Sequence, residues 1–297
     1  MRMIEPVTLP QTQHPTPCPV TNCSDALTRR IRSKSADAGI RGALRLLTTA
    51  DTVISPTADE VAELQAKHPA APPEEDLQQL LHALPTPRQP PLNVSEQDVL
   101  SAIQSMPPGS SAGHDGLRPL HLLQLTSKKT AEAGHRLLSA LTELCRCAIS
   151  GNIPDLARNA FFGANLVAIR KKDGGIRPIA NGSVYRRLVC KLVAGRMTKA
   201  VASHLHLKQL VVGTPLACEA SVHTVRDNVN RQSSMERTLF KLDLSNAFNS
   251  VHRKAVLREA SLRFPAATPL IYQAYAHPTP LLHSWQHYLV LQGNPAR

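Results

Sequence analysis

Residues 164–180, ANLVAIRKKDGGIRPIA, have the pattern of a β-hairpin. Two short apolar stretches flank the tip KKDGG, and Asp-Gly-Gly is a strong signal for a tight hairpin turn. Such a turn would bring Lys171, Lys172 and Arg177 close together. Arginine offers phosphate a bidentate fork, and lysine offers it a mobile point charge. Taken alone, a basic hairpin is ordinarily a solvated surface turn.

The segments around this hairpin are predicted to be mainly helical. After it, Val184, Leu188 and Leu192 recur at helical spacing and predict a long amphipathic helix over Ser183–His204. Before it, PPGSSAGHDGL (107–117) contains too many glycines for a helix or a strand and must be a loop. Further helices are predicted at Ser24–Thr48, Thr57–His68, Asp76–Leu84, Ser95–Met106, Ala131–Ser150, Glu219–Asn230, Ala247–Leu262 and Leu270–Tyr275, and strands at 238–244 (TLFKLDL) and 288–291 (YLVL).

Positive charge is concentrated in the later part of the sequence. The formal net charge is +12 over 297 residues. Residues 1–94 carry 9 Lys and Arg against 10 Asp and Glu, whereas residues 95–297 carry 25 against 12. Between Arg158 and Lys199, ten basic residues accompany one acid, Asp173. This excess suits a polyanion, either nucleic acid or nucleotide phosphate, although a solvated basic surface accounts for charge alone about as well.

Proline-rich sequence indicates how the chain is divided. The run PTPRQPPLN (85–93) has four prolines in nine residues and is typical of a linker. We therefore predict an N-terminal extension at 1–94, partly disordered and with helical segments. A central region at 95–240 would contain the hairpin, and a third region at 241–297 would follow it.

Several classes of protein are not favoured by the sequence. There is no apolar run of about 18 residues for a membrane span, and the N-terminus lacks the apolar core of a signal peptide. We therefore expect an intracellular protein of the nucleus or cytoplasm with no membrane partner. The six cysteines suggest no disulfide framework. Cys18 and Cys23, with His14 nearby, are only a weak signal for a metal site, and plain thiols are the preferred interpretation.

Asp243 is the first candidate for catalysis. It lies in the apolar run TLFKLDL, where the chain turns to SNAFNSV. Polymerases use carboxylates at strand ends to hold two divalent ions about 3.5–4 Å apart for in-line phosphoryl displacement. A lone aspartate in such a place is more often a helix cap or a turn former. Asp243 therefore needs the support of neighbouring motifs.

Four segments, in order, resemble elements of reverse transcriptases, most closely those of non-LTR retrotransposons. SSAGHDGL (110–117) is similar to a Gly-rich upstream loop, and residues 166–197 resemble the fingers hairpin and the helix after it. DLSNAF (243–248) resembles the Asp-x-x-x-Ala-aromatic element of the first palm strand, and LQGNP (291–295) resembles a Gln-Gly-Asp-Pro element. The resemblance implies an α/β (α+β) fold with right-hand polymerase fingers and a partial palm, rich in helix and preceded by a helical extension.

The resemblance also implies a role for each residue that matches a motif. Asp243 would be a metal-binding catalytic carboxylate beside the Leu244 carbonyl, and Phe248 would be the aromatic gate under the sugar of the incoming nucleotide. The family uses two Mg²⁺ ions, an RNA template, a DNA primer and deoxynucleoside triphosphates. The other implied contacts are Lys171 and Arg177 with the triphosphate, Gln292 and Gly293 with the nucleotide and template, and Gly113, Asp115, Gly116, Lys172, Arg186, Arg187 and Lys191 with nucleic acid.

The sequence departs from the family pattern at several points. His114 stands where proline is usual and Asn294 where an acid is usual, and neither change argues strongly against activity. The second pair of carboxylates, in a Tyr-x-Asp-Asp turn, is not found, because no aspartate follows Asp243 and Glu259 is the only later acid. One aspartate does not make a two-ion clamp. We therefore expect a polymerase domain that is incomplete and inactive by itself.

Two other hypotheses stay open. The chain could be a non-catalytic RNA- or DNA-binding remnant of a retrotransposon, which keeps a basic surface without the chemistry. It could also be a truncated reading frame with no function, whose incomplete sheet would leave an exposed edge prone to aggregation. Among polymerases, a group II intron-type enzyme is the nearest alternative. The oligomeric state is left open.

Overall fold

A computed structural model of the chain describes residues 52–68, 90–205, 209–231, 242–244, 247–276, 279–282 and 291–293, with isolated positions between 28 and 47. The chain divides into two compact units, Met1–Thr49 and Ala50–Arg297. The described positions of the first unit are helical, as the prediction of a helix over Ser24–Thr48 requires. The elements named below belong to the second unit.

The second unit combines helices with one small sheet, which confirms the predicted mixed α/β class. Three short 3₁₀ turns accompany the helices, at Lys128–Thr130, Ala247–Ser250 and Pro265–Ala267. The strands are β1 Thr52–Ile54, β2 Ala164–Arg170, β3 Ile176–Gly182, β4 Thr279–Leu282 and β5 Leu291–Gly293. The helices are α1 Ala58–Ala66, α2 Glu96–Gln104, α3 Pro119–Leu125, α4 Ala131–Ile149, α5 Asp155–Phe162, α6 Val184–Leu205, α7 Ala217–Asn230, α8 Arg253–Arg263 and α9 Thr268–Tyr275.

Strand β2 is the centre of the sheet. β3 pairs with it antiparallel along its whole length, from Ala164 opposite Gly182 to Arg170 opposite Ile176. β1 pairs antiparallel with the end of β2, and β4 pairs parallel with its beginning. Because β3 occupies one edge of β2 throughout, β1 and β4 share the other edge in succession. β5 extends the sheet by pairing antiparallel with β4.

The larger hydrophobic core lies among the helices. Val184, Leu188 and Leu192 of α6 are buried in it, as their spacing predicts. Phe161 and Phe162 at the end of α5 join this core and meet edge to face, with their ring centroids 4.9 Å apart. Removal of such side chains from water is the main favourable term in folding. This core therefore holds the helix that follows the hairpin.

A smaller core lies between α1 and the sheet. Leu64 of α1 is only 1% exposed and shares this core with Leu166 and Ile176 of the hairpin. Thr57 caps α1, and Glu60 completes the capping box. Both β1 and α1 lie in the region predicted to be an N-terminal extension, yet they pack on the hairpin. The three-part division remains a prediction, with these two elements attached to its central part.

Most of the predicted elements are confirmed. The hairpin forms, α6 follows it, and α2 starts at a capping box of Ser95 and Asp98 as predicted. The loop at 107–117 contains neither helix nor strand. Among the described residues, four elements were missed, namely β1, α3, α5 and β4. Each is eight residues or shorter, so hydrophobic periodicity has too few turns to reveal it.

The predicted strand at 238–244 is wrong for the residues that the structure describes. Residues 242–244 are irregular, and Leu242 and Leu244 are 88% and 75% exposed. A strand is stabilised by cross-strand pairs and by one buried face. No strand among the described residues pairs with these three, and β4 and β5 continue the sheet from β2 instead.

The predicted helix over Ala247–Leu262 is interrupted. A 3₁₀ turn occupies residues 247–250, and the continuous helix starts only at Arg253. The Asn249 side chain donates a hydrogen bond to the Lys67 carbonyl oxygen at 3.1 Å. This bond joins the 3₁₀ turn to the end of α1, a distant contact that the local periodicity does not encode.

Some predictions fall outside the described residues. The structure describes residues 247–276, 279–282 and 291–293 in this part of the chain, so the predicted strand over 288–290 cannot be compared with it. The same holds for the predicted helix Asp76–Leu84, residues 85–89 of the linker, residues 238–241, residues 294–295 and the pair Cys18 and Cys23.

Candidate nucleic-acid interface

The tip of the hairpin is a tight, internally bonded turn. The Lys171 amide donates to the Gly175 carbonyl at 2.8 Å, and the Gly174 amide donates to the Lys171 carbonyl at 3.1 Å. Gly174 has a φ of +83°, which only glycine adopts readily. The Asp173 carboxylate accepts from the Gly175 amide at 3.1 Å and from the Lys171 ammonium at 3.2 Å. These two donors lower the pKa of Asp173, with the amide first.

The hairpin therefore presents its cations in two groups. Lys171 is half-buried and pairs with Asp173. Lys172 and Arg177 are exposed, one at the tip and the other on β3. Asp173 is the only acid within the hairpin, and it is already engaged. The exposed pair is thus the part of the predicted set that is best placed to meet a phosphate.

The glycine-rich loop lies against the start of α6. Gly113 is buried, and a Cβ atom at this position would come within 2.7 Å of the Ser183 Cα atom. Ser183 caps α6, because its hydroxyl accepts from the Arg186 amide at 3.2 Å. Asp115 and Gly116 are exposed at the turn of the loop, where Gly116 has a φ of +71°. The structure thus brings the predicted loop to the end of the predicted hairpin.

Two of the predicted nucleic-acid contacts also hold the fold together. The Arg186 guanidinium donates from Nη1 to the Phe162 carbonyl at 2.7 Å, and Arg187 donates from Nη2 to the Ser111 carbonyl at 2.8 Å. Burial lowers the pKa of Arg187, while the charge of Asp115 opposes that shift. Both arginines tie the start of α6 to neighbouring segments. Their role toward nucleic acid remains a prediction.

Lys191 lies one turn further along α6 and is half-buried. It follows Arg187 at i, i+4 spacing, so these two side chains lie on one side of the helix. α6 has no acidic residue in its first turn. The start of this helix is therefore positively charged through both its side chains and its dipole.

Asp243 is exposed in the irregular segment 242–244, and the Leu244 carbonyl lies beside it in the chain. Phe248 falls in the 3₁₀ turn at 247–250, and Gln292 and Gly293 lie on β5. The structure describes the backbone of these last three positions. β5 joins the sheet through β4, which pairs with the start of β2, the first strand of the hairpin.

Asp243 is the carboxylate that the resemblance assigns to a metal site. Within the described part of the chain, no group of three or more His, Cys, Asp or Glu side chains is close enough to hold a metal ion. Glu259, the only acid later in the sequence, pairs with Arg263 at 2.6 Å on α8. One carboxylate supplies one of the roughly six oxygen ligands that Mg²⁺ requires. No chemical step through Mg²⁺ follows from these residues.

Sequence reasoning missed the residues of α1 that bind the hairpin. Glu60 pairs with Arg170 at 2.5 Å at the end of β2. Lys67 pairs with Glu63 at 2.6 Å and also donates to the Ile176 carbonyl on β3. The signal available in the sequence was the charge pattern of α1, with acids and a lysine at i, i+3 and i+7. That pattern is also typical of an ordinary solvated helix.

Among the described residues, no helix is long and apolar enough to cross a membrane. No protein-family model matches the chain, and no curated protein is significantly similar to it. The reverse-transcriptase resemblance therefore stays a prediction that rests on the four sequence motifs.

Proposed function

We propose that this chain forms the fingers and the start of the palm of a reverse-transcriptase-like polymerase, and that it binds an RNA template and a deoxynucleoside triphosphate. The single observation that carries this proposal is the hairpin. Lys172 and Arg177 are exposed on it, while its only acid, Asp173, is engaged by Lys171 and by the Gly175 amide. Exposed cations beside a tight turn are accessible to the phosphates of a polyanion.

The loop at 107–117 supports the same proposal. It lies at the positive start of α6, and Arg187 reaches it through the Ser111 carbonyl. The Nε atom of Arg187 is buried with no hydrogen-bond partner among the described residues. Buried polar groups usually have partners. Because this Nε atom is buried, an external phosphate could approach only the rest of the Arg187 guanidinium.

In the complete family, two Mg²⁺ ions supply charge stabilisation for attack of a primer hydroxyl on the triphosphate. Asp243 is the one residue of this sequence that matches that role, and it is solvent-exposed. We expect the 297-residue chain to bind nucleic acid and triphosphate without extending a primer. This proposal is for the residues of the present sequence only.

A second candidate function is a nucleic-acid-binding protein with no catalytic role. The observation that favours it is the pairing of Glu259 with Arg263, which removes the only acid after Asp243 from any joint site. Both candidates predict RNA binding. They differ in whether a triphosphate is bound at Arg177 and in whether Asp243 has any measurable role.

Binding to single-stranded RNA over a range of salt concentrations tests the shared part of the proposal. An RNA of about 20 nucleotides exceeds the site size that is usual for such proteins. We expect affinity to fall steeply with salt, and each lost phosphate contact to reduce the logarithmic slope by about 0.7. Lys172→Ala and Arg177→Ala should each show that reduction. Lys128→Ala, which removes an exposed lysine outside both the hairpin and the glycine-rich loop, is the matched control.

Primer extension on an RNA template with Mg²⁺ separates the two candidates. Extension that is abolished by Asp243→Ala would establish the polymerase and overturn our expectation that the chain is inactive alone. Binding of a deoxynucleoside triphosphate without extension would support the proposal as stated. Salt-sensitive RNA binding with no triphosphate binding would favour the second candidate. Absence of salt-sensitive RNA binding would sink both.

A further inference from the structure

Helix α1 holds both strands of the hairpin near its tip. On β2, Arg170 pairs with Glu60. On β3, the Ile176 carbonyl accepts from the Lys67 ammonium, and the bond with Lys67, and after it the Ile176 backbone, lower the pKa of the Glu63 carboxylate. The Ile176 backbone thus lies beside a single i, i+4 ion pair, that of Lys67 with Glu63.

The geometry of β3 explains why these backbone groups are available. The Lys171 amide bonds the Gly175 carbonyl, so the next pair along the ladder, Arg170 opposite Ile176, is the non-hydrogen-bonded kind. In such a pair the backbone groups point away from the partner strand. They need other partners if they are covered by protein, and Lys67 at the end of α1 supplies one for the Ile176 carbonyl.

The same end of α1 also contacts the segment that follows Asp243. The Asn249 side-chain amide donates to the Lys67 carbonyl oxygen at 3.1 Å. Lys67 therefore bonds the hairpin through its side chain and the 3₁₀ turn at 247–250 through its backbone. Arg177 directly follows Ile176 in sequence, and Asn249 directly follows Phe248.

We infer that Glu63 and Lys67 form a positioning pair, which sets the spacing between the hairpin strand that carries Arg177 and the 3₁₀ turn that carries Asn249. This inference rests on the proposed function, because those two segments are the proposed walls of the triphosphate site. Lys67 touches neither phosphate nor metal in this arrangement. Lys67 affects the proposed site by positioning Arg177, through its bond to the Ile176 carbonyl, and by positioning Asn249, through its own backbone carbonyl.

The arrangement at Arg146 offers a matched control. Arg146 pairs with Glu143 at 2.6 Å, and its Nε atom donates to the Val94 carbonyl at 3.0 Å. It is thus also a cation that joins a helical ion pair to a distant backbone carbonyl. It lies on α4, in the larger core region, and has no contact with the hairpin or with residues 247–250 among its described bonds. Lys67→Met and Arg146→Met each remove a charge and keep a flexible stem.

Amide hydrogen exchange on the intact chain tests the positioning without any ligand. Lys67→Met should speed exchange on the order of tenfold at 171–179, because it removes the side-chain bond to the Ile176 carbonyl. Asn249→Ala should do the same at 247–252, because it removes the bond to the Lys67 backbone carbonyl, and Arg146→Met should leave both segments as they are in the wild type. Unchanged exchange at 171–179 in Lys67→Met, or equal changes in Lys67→Met and Arg146→Met, would overturn the inference.

Affinity for 2′-deoxyadenosine triphosphate in the presence of magnesium chloride tests the consequence for binding. Lys67→Met should weaken it on the order of tenfold, since misplaced binding groups lose their preorganisation. Lys67→Met added to Arg177→Ala should cause little further loss, because residues that act as one unit are not additive. Lys67→Arg, which keeps the charge and donors, should restore part of the affinity. RNA affinity, spread over many cations, should change less than the triphosphate affinity.

Asn249→Ala removes the side-chain hydrogen bond to the Lys67 carbonyl oxygen, and it is the variant to measure if Lys67→Met does not fold. It should weaken triphosphate binding while leaving the exchange of 171–179 unchanged. If the wild type binds no triphosphate, the proposed function fails and the positioning role fails with it, although the exchange result still reports the mechanical coupling. If the wild type binds and Lys67→Met binds equally well, the inference alone is overturned.

Discussion

A methyl group at residue 113 has no space. The Cβ of any side chain there would lie 2.7 Å from the Ser183 Cα atom and 2.9 Å from its amide nitrogen, and both are backbone atoms. Backbone gives way less easily than the end of a flexible side chain. The glycine of the Gly-rich loop is therefore explained by close packing on the start of α6, whatever the loop binds.

Gly113→Ala should lower the free energy of unfolding by about 1–3 kcal/mol, because it overpacks this contact. Gly195 in α6 is the control, since a Cβ there meets nothing within 4 Å. Gly195→Ala should be neutral or stabilise by up to about 1 kcal/mol, because alanine favours a helix. Urea denaturation of both variants measures the difference. Equal effects would show that the loop shifts freely.

Arg186 and Lys172 should separate stability from binding. Arg186→Met removes the bond to the Phe162 carbonyl and should reduce stability by about 1–3 kcal/mol, because it leaves an acceptor without its partner. Lys172→Ala should leave the melting temperature unchanged, since this side chain is exposed at the tip. Thermal melts of the two variants, beside their RNA affinities, check this separation. A loss of RNA affinity in Arg186→Met without a loss of stability would contradict it.

At the scale of elements, α2 shows how a local signal and a tertiary contact combine. Its start is local, because Ser95 and Asp98 bond each other reciprocally. The same carboxylate also accepts from Arg196 of α6 at 2.8 Å, a contact 98 residues away. Asp98 therefore links the cap of one helix to the side of another.

The Asp98 carboxylate should make stability depend on acid pH. The Ser95 backbone amide, then its hydroxyl, and then Arg196 lower the pKa of Asp98 below its ordinary value of 3.8. A lowered folded pKa stabilises the fold above the unfolded pKa, and this contribution is lost as pH falls through the folded value. Wild-type stability should thus fall more steeply in acid than that of Asp98→Asn. Denaturation curves from neutral to strongly acidic pH measure this, and parallel curves would refute it.

The smaller core makes α1 necessary to the hairpin. Leu64 is 1% exposed against Leu166 and Ile176, so Leu64→Ala should cost about 2–5 kcal/mol. The sheet itself is small, and a hairpin without a covered face is marginal in water. α1 supplies that cover, and Glu60 and Lys67 add the polar contacts at the tip.

At the scale of the whole molecule, the place of α1 predicts which truncations are tolerated. Removal of residues 1–49 should leave a cooperative melt, because these residues form a separate compact unit. Removal of residues 1–94 should abolish the cooperative melt or strongly lower its temperature, because this truncation takes away β1, α1 and the cover of the hairpin. Calorimetry on the two truncated chains measures the contrast. Similar melts would show that the hairpin is held by the larger core alone.

Much of the candidate site was predictable from short-range patterns. The turn KKDGG, the cap at Ser95 and the apolar stripe of α6 each depend on neighbours within about eight residues. The strand predicted around Asp243 was wrong for residues 242–244, because the stability of a strand depends on partner strands that the sequence pattern does not reveal. In the structure, the neighbouring edge of β2 is taken by β1 and β4.

The sequence by itself determined the hairpin, the glycine-rich loop, the main helices and the excess of positive charge, because these follow from turn chemistry, periodicity and composition. Only the tertiary structure decided which cations stay exposed and which ones hold backbone carbonyls, as Lys172 and Arg186 show. It also decided that α1 joins the hairpin to the segment after Asp243 through Lys67. Those outcomes depend on contacts between residues about 24 to 182 positions apart, which no local pattern encodes.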